Sequence, residues 1–262
     1  MKELIKNLPG IKNLRRFIFE KKFETHENVN YFRGVFSNFA NALNSAPKSK
    51  PIGYDNEEAS GMYEERTRRV YSTDYPVLYW INRKQKEIKS VFDFGGHIGI
   101  HYYSYSKFLD YSKLNNWTVC DVPKVTEKGK KESKHFDQLE LSFSNNVLDC
   151  DGSDLFLANG SIQYLDWELS DKLNQLTAKP KFVLLNMTPI HPKVRTITLQ
   201  SIGTSFCPYH IRLRKEFLEG MKGAGYLLVD EWENPEKSCN IAFELDRSLN
   251  NYSGFFFELK NN

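Results

Sequence analysis

The sequence is poor in cysteine, and the few it has stand far apart. Cys120, Cys150, Cys207 and Cys239 form no CxxC pair, so neither a zinc site nor a disulfide framework is indicated, and a reducing cytoplasm is the expected compartment. Long apolar runs are missing as well. No stretch approaches the roughly 18 residues that span a bilayer, and the charged N-terminus lacks the continuous apolar segment of a secretory signal. A broad basic excess is also lacking: the formal charge of the 262 residues is only +3, which speaks against a nucleic-acid-binding surface. That small excess is local, because residues 1–25 carry seven Lys/Arg against three acids.

Several catalytic signatures are absent too. There is no GxxxxGK[ST] phosphate loop, no Gly-x-Ser-x-Gly nucleophile turn and no HExxH. His97 and His101 stand at i, i+4 without the glutamate between them, so no metal site is expected. The GxGxxG spacing of dinucleotide binders is missing, as is a Tyr-x-x-x-Lys pair in a plausible helix, which disfavours a nicotinamide oxidoreductase.

What is present is a strand, an acid, a tight glycine turn and a helix start, in that order: Val91-Phe92-Asp93-Phe94-Gly95-Gly96-His97-Ile98-Gly99, then Ile100-His101-Tyr102. This order sets backbone N–H groups and a helix N-terminus beside a carboxylate at the C-terminal end of a parallel strand, a crevice that suits a nucleotide-like cofactor. Trp117–Asp121 reads as the next strand. Its terminal Asp121 lies 22 residues beyond Gly99, the spacing of an acid that accepts from a ribose diol. Asp93, two residues before the first glycine, suits a cofactor with a cationic amino-acid end, whose ammonium it would orient.

From residue 91 the pattern alternates. Strands are expected at 91–94, 117–121, 138–143, 154–158, 181–187 and 225–231, with helices at 100–113, 124–134, 167–176 and 211–222. That alternation implies an α/β fold with a mostly parallel sheet and helices on both faces. The tail, Asn240–Leu245 and Phe255–Leu259, reads as an antiparallel pair at the sheet edge. Upstream, Phe32, Val35, Phe36 and Phe39 fall at i, i+3, i+4 and i+7, a helical face. Residues 57–70 and 76–88 read as helices as well. The expected organisation is a helical N-terminal cap over 1–88 and a Rossmann-like cofactor-binding domain over 89–262. After Pro9-Gly10, a basic amphipathic helix is expected, with Ile11, Leu14 and Ile18 at helical spacing. It would dock on the domain or make a peripheral contact with a membrane or a protein complex.

Four pieces together resemble a family of methyltransferases encoded in bacterial surface-polysaccharide clusters. They are Asp93-Phe94-Gly95-Gly96-x-x-Gly99 with Tyr102-Tyr103; Trp117-x-Val119-x-Asp121 followed by Gly129; Asp154–Leu165 with its Ser161-Ile162-Gln163-Tyr164-Leu165; and Gln200 with Pro208-Tyr209. Gly34–Phe39 and Gly53-Tyr54-Asp55 look similar too, so the resemblance covers most of residues 31–235. It implies a class I methyltransferase fold and S-adenosyl-L-methionine as cofactor. Carried over by position, Gly95, Gly96 and Gly99 would line the methionine end and Asp121 would hold the ribose. Asn159, Gly160 and Ser161 would sit near the sulfonium, and Phe143 to Asn145 would approach the adenine. His97 departs from the pattern, occupying a place where many methyltransferases have glycine.

If the acceptor is a hydroxyl, a base must take its proton, and a histidine titrating near neutrality is suited to that. His191, beyond the expected fifth strand, is the first candidate and His210 the second; His97 and His101 follow. From the resemblance alone, the acceptor is expected to be an oxygen on a sugar, nucleotide sugar or glycan intermediate of capsule or O-antigen, or a phosphate-derived decoration of it. The rival expectation is a non-catalytic methyltransferase-like protein that serves assembly of a polysaccharide complex.

Overall fold

The structure, a computed structural model, describes residues 9–26, 30–133 and 140–260. In chain order the helices are α1 (Pro9–Thr25), α2 (Phe39–Asn44), α3 (Glu57–Ser60), α4 (Tyr75–Arg83), α5 (Ile100–Tyr105), α6 (Pro123–Glu132), α7 (Leu169–Leu173) and α8 (Arg214–Gly223). The strands are β1 (Tyr31–Phe36), β2 (Ser90–Phe94), β3 (Asn116–Cys120), β4 (Glu140–Ser144), β5 (Leu155–Asn159), β6 (Phe182–Thr188), β7 (Ile190–His191), β8 (Thr196–Ser201), β9 (Phe206–Leu213), β10 (Tyr226–Asn234), β11 (Ile241–Ala242) and β12 (Tyr252–Leu259). The expected strand at 138–143 begins at positions 138 and 139, which lie outside the described residues.

Seven strands form the main sheet in the order β10-β12-β6-β5-β2-β3-β4. From β6 to β4 all neighbours are parallel, while β12 runs antiparallel to both β6 and β10. β5 and β6 are buried at every position, as strands covered on both faces must be. Successive residues alternate between the two faces. Val91, Leu155, Leu157 and Leu184 pack with α4 and α5 through Val77, Ile81, Tyr102 and Tyr105. Phe92, Phe156, Val183 and Leu185 pack with α7 and α8 through Leu169, Leu173, Phe217 and Met221.

A second sheet, β11-β1-β8-β9-β7, lies outside the expected plan. The β8–β9 hairpin is inserted between β6 and α8. β1 pairs antiparallel with β8, and β11 pairs parallel with β1. One face carries Phe32, Tyr209 and Ile211 toward Met187 and Tyr252. The other carries Leu199 and Phe206 against Phe23 of α1, which is fully buried and stacked on Phe206 with ring centroids 5.3 Å apart.

Several expectations are corrected here. Phe32, Val35 and Phe36 belong to a strand, not a helix, so the segment 1–88 is not helical throughout. Residues 57–70 contain only a short α3 and a 3₁₀ turn at Glu64–Arg68. The α5 helix stops at Tyr105, and a separate 3₁₀ turn at Tyr111–Lys113 follows, capped by the Asp110 carboxylate, which accepts from the N–H of Ser112 at 3.2 Å. Residues 211–213 extend β9, and α8 begins at Arg214. The tail is not an edge hairpin, since β11 joins the second sheet and β12 lies inside the main one.

Candidate functional site

The C-terminal ends of β2, β3 and β5 open into a cavity of about 660 Å³. Its floor is the turn after β2. Gly95 has φ +75° and donates its N–H to the Cys120 carbonyl at 2.7 Å. A Cβ there would fall 2.2 Å from the Cβ of Ser161, whose hydroxyl is tied to the Phe94 carbonyl at 2.7 Å. Only glycine allows the β2 and β5 loops to meet this closely. His97 keeps the left-handed geometry, φ 57°, without being glycine. Its N–H donates to Oδ2 of Asp121 at 2.9 Å, and the N–H of Val122 donates to Oδ1 at 2.8 Å.

Asp121 is therefore held from below with its carboxylate on the cavity wall. Burial pushes its pKa up to about 6, against the opposing pull of the Val122 and His97 N–H groups. Val122 and Val147 line the same end. Asn145 is fixed there, its Nδ2 donating to the Asp121 carbonyl at 2.6 Å and to the Thr126 hydroxyl at 2.8 Å.

Beneath the centre of the cavity runs a chain of buried polar groups whose orientations follow from one donor. Trp232 Nε1 can only donate, and it bonds Oδ1 of Asn186 at 2.9 Å. Nδ2 of Asn186 then donates to the Thr73 carbonyl at 2.8 Å and to Oδ1 of Asn159 at 3.1 Å. Nδ2 of Asn159 consequently donates to Oδ1 of Asp74 at 2.9 Å and faces Nε2 of His101 at 3.2 Å. Nε2 must be the acceptor, so the proton of the His101 ring sits on Nδ1 and points at Asp93. Asp93 is fully buried and also accepts from Trp117 Nε1 at 3.2 Å. Burial opposes charge on His101, but the Asp93 carboxylate outweighs it and raises the pKa.

The opposite half of the cavity is walled by tyrosines. Tyr54 and Tyr164 hydroxyls meet at 3.0 Å, Tyr209 and Tyr252 hydroxyls at 2.7 Å, and the Tyr164 ring stands edge-on to Tyr209. Gln163 and Gln200, each 4% exposed, line this half, and the Oε1 of each lacks a hydrogen-bond partner among the described residues. Arg66, Arg69 and Lys237 stand at the mouth.

Of the residues singled out in the sequence, Gly95, His97, Asp121, Asn145, Asn159, Gly160 and Ser161 line one cavity. Asp93 and Gly96 lie just behind it, with a Cβ on Gly96 blocked by the Asp93 carboxylate at 2.4 Å. Gly99 is the left-handed N-cap of α5. The Phe143 ring packs on Gly129, not on the cavity. His191 and His210 are not among the residues lining this cavity. His191 sits on β7, where its Nδ1 accepts from the N–H groups of Lys193 and Val194 at 3.0 Å each, and burial lowers its pKa. His210 follows Tyr209 on a strand and so points from the opposite face. There it is 1% exposed beside Phe39, with burial and then Arg212 and Arg195 pressing its pKa down to about 3. Sequence reasoning missed Asp74, Asn186, Arg66 and Lys237; none stands in a recognisable motif. Among the described residues no group of histidines, cysteines or acids could hold a metal ion, and no helix is long and apolar enough to cross a membrane.

No protein-family model and no curated protein matches the sequence. Solved structures do match. A candidate S-adenosylmethionine-dependent methyltransferase from Listeria monocytogenes superposes over 72% of this chain and 99% of its own, with a TM-score of 0.51 and 9% identity. The 1,6-didemethyltoxoflavin-N1-methyltransferase of Burkholderia thailandensis, solved with S-adenosylhomocysteine bound, covers 72% of this chain and 79% of its own at 13% identity and a TM-score of 0.49. The first of these, together with the strand order and the single reversed strand β12, gives the chain the class I methyltransferase fold.

Proposed function

We propose that the protein is an S-adenosyl-L-methionine-dependent methyltransferase acting on an oxygen of a sugar, nucleotide sugar or glycan intermediate of a bacterial surface polysaccharide, or on a phosphate-derived decoration of it. The observation that carries the acceptor class is the pair of buried carboxamide oxygens on Gln163 and Gln200. A buried acceptor without a donor costs about 1–3 kcal/mol. Two of them in a tyrosine-walled chamber suit a ligand rich in hydroxyl donors, which would satisfy both.

The residues at the other end fit the adenosyl group. Asp121 is an acceptor for a ribose diol, Val122 and Val147 offer apolar contact to a flat base, and Asn145 keeps Oδ1 for an amino group once Nδ2 is committed. When bound, S-adenosyl-L-methionine supplies an electrophilic methyl group, so much of the rate comes from aligning the acceptor with it. The chain supplies the alignment and the base. His101 takes over the role expected of His191: it lines the cavity, the 3.2 Å contact of its Nε2 with the Asn159 amide must open for the acceptor hydroxyl to reach that lone pair, and Asp93 behind the ring stabilises the imidazolium formed when the hydroxyl proton arrives. The intact glycine turn and Asp121 argue against the non-catalytic alternative.

A peripheral role for α1 is part of this reading. Leu14, Phe17 and Ile18 are 58%, 70% and 45% exposed, beside Lys12, Arg15 and Arg16, while the buried Phe23 anchors the helix. Such a surface suits an anionic bilayer or a membrane-bound assembly.

Calorimetric titration with S-adenosyl-L-methionine and S-adenosylhomocysteine, with NAD and UDP-sugars as controls, tests the cofactor. Saturable binding of the adenosyl ligands supports the reading, and binding of NAD in their place overturns it.

A further inference from the structure

Arg66, Arg69 and Lys237 converge on the cavity mouth. Among the described residues no carboxylate lies within ion-pair distance of any of them. The acids nearby are engaged elsewhere: Glu64 with Lys128, Glu236 with the Ser72 hydroxyl at 2.7 Å, and Asp74 with the Tyr71 N–H at 2.9 Å. Lys237 is half-buried, and burial and then Arg66 lower its pKa against the opposing pull of Glu236.

Aromatic rings fix the positions. The Arg66 guanidinium lies 5.0 Å from the ring centres of both Tyr63 and Tyr71, and that of Arg69 lies 4.5 Å from Tyr71. A guanidinium stacked on rings keeps its N–H edge for in-plane acceptors, the geometry that grips a carboxylate or phosphate in two places. The Arg69 Nε donates to the Tyr71 hydroxyl at 2.9 Å. The Arg66 guanidinium has no hydrogen-bond partner among the described residues, its backbone N–H donating to the Tyr63 carbonyl at 2.9 Å.

We propose that Arg66 and Lys237, with Arg69 at the rim, form an oxyanion subsite for a phosphate or diphosphate on the acceptor. This rests on the methyltransferase reading and narrows its substrate to a phosphorylated one. Two points favour phosphate on the acceptor over the cofactor's own carboxylate. Lys237 follows β10, the edge strand at the far side of the sheet from β3 and Asp121, so it belongs to the acceptor half, while Arg66 rests on Tyr63, which stands edge-on to His97 of the glycine turn at 5.9 Å. A carboxylate carries one negative charge and would leave most of the cluster unbalanced, whereas a phosphate ester or diphosphate carries about two.

The test is titration of the full chain with inorganic pyrophosphate, alone and saturated with S-adenosylhomocysteine. Saturable binding that weakens with salt is expected. Arg66→Gln and Lys237→Gln should each weaken pyrophosphate about tenfold or more, with S-adenosylhomocysteine affinity unchanged and thermal unfolding as a check on folding. Pyrophosphate affinity equal in variants and wild type overturns the subsite, as does a wild type that does not bind pyrophosphate. Loss of S-adenosylhomocysteine affinity in the variants, with 5′-methylthioadenosine binding retained, also overturns it and assigns the cations to the cofactor carboxylate. A protein that binds pyrophosphate but not S-adenosylhomocysteine keeps the subsite and removes the methyltransferase reading, so the two failures are separable.

Discussion

Nδ1 of His101 sits against both carboxylate oxygens of Asp93, at 2.9 and 3.0 Å, while its Nε2 faces the Asn159 amide at 3.2 Å. The acid that the sequence suggested would orient a cofactor ammonium is thus covered by a histidine, and the side chain that reaches the cavity is the histidine.

His101→Gln should therefore lower kcat by two to four orders of magnitude, roughly the contribution of a general base, with little change in S-adenosylhomocysteine affinity. The wild-type rate should fall on acidification at a pH above that of an ordinary histidine, because Asp93 raises the pKa. The variant should lack that acidic limb. A pH–rate profile unchanged by the substitution removes His101 as the base.

Asp121 predicts two opposite pH trends. Its pKa in the folded protein is about 6, above the ordinary 3.8. The folded state therefore favours the protonated form, and this contribution is fully present below the ordinary value and lost as pH rises through about 6. Asp121→Asn should flatten the dependence of the melting temperature between those two values, while its Nδ2 forfeits one of the two backbone N–H bonds that the carboxylate accepts. Binding of S-adenosylhomocysteine needs the carboxylate as acceptor, so wild-type affinity should weaken below about pH 6, and calorimetry across that range reads it directly.

Gln200→Leu removes a buried oxygen that has no partner, so thermal stability should hold or rise. A hydroxylated acceptor should lose about tenfold in KM, about the worth of one hydrogen bond. A destabilised variant would mean that Gln200 Oε1 is satisfied within the protein.

Gly95→Ala should destabilise by more than about 1 kcal/mol, because alanine is strained at positive φ and its Cβ would overlap Ser161. Chemical denaturation measures the loss, and an unperturbed midpoint would contradict the close approach of the two loops.

Phe17→Glu should abolish cosedimentation with anionic vesicles and leave the melting temperature unchanged. Deleting residues 1–25 should lower it instead, because the fully buried Phe23 goes with them.

The parallel half of the main sheet was legible in the sequence because its strands are short apolar runs separated by helical patterns, and Asp121 stood at the distance a ribose acceptor requires. The second sheet was not. In β1 the register against β8 shifts between Arg33 and Phe36, and Gly34 has φ +72°. The extra residue breaks the period of two, and Phe32, Val35, Phe36 and Phe39 then mimic a helical face. His210 was misplaced for the same reason: only when β9 is known to be a strand does parity turn it away from Tyr209. Asp74 and Asn186 carry no local signal, since their roles come from contacts with residues far along the chain.

The placement of β12 has a kinetic consequence. β12, the last in sequence of the described strands, lies between β6 and β10, so a nascent chain reaching only Asn234 has both of those edges exposed and no partner to join them. The sheet closes once residues 252–259 have left the ribosome, and closure must bridge long loops before their contacts stabilise anything. Until then Phe182–Thr188 is an open apolar edge, the kind of surface that holdase chaperones engage.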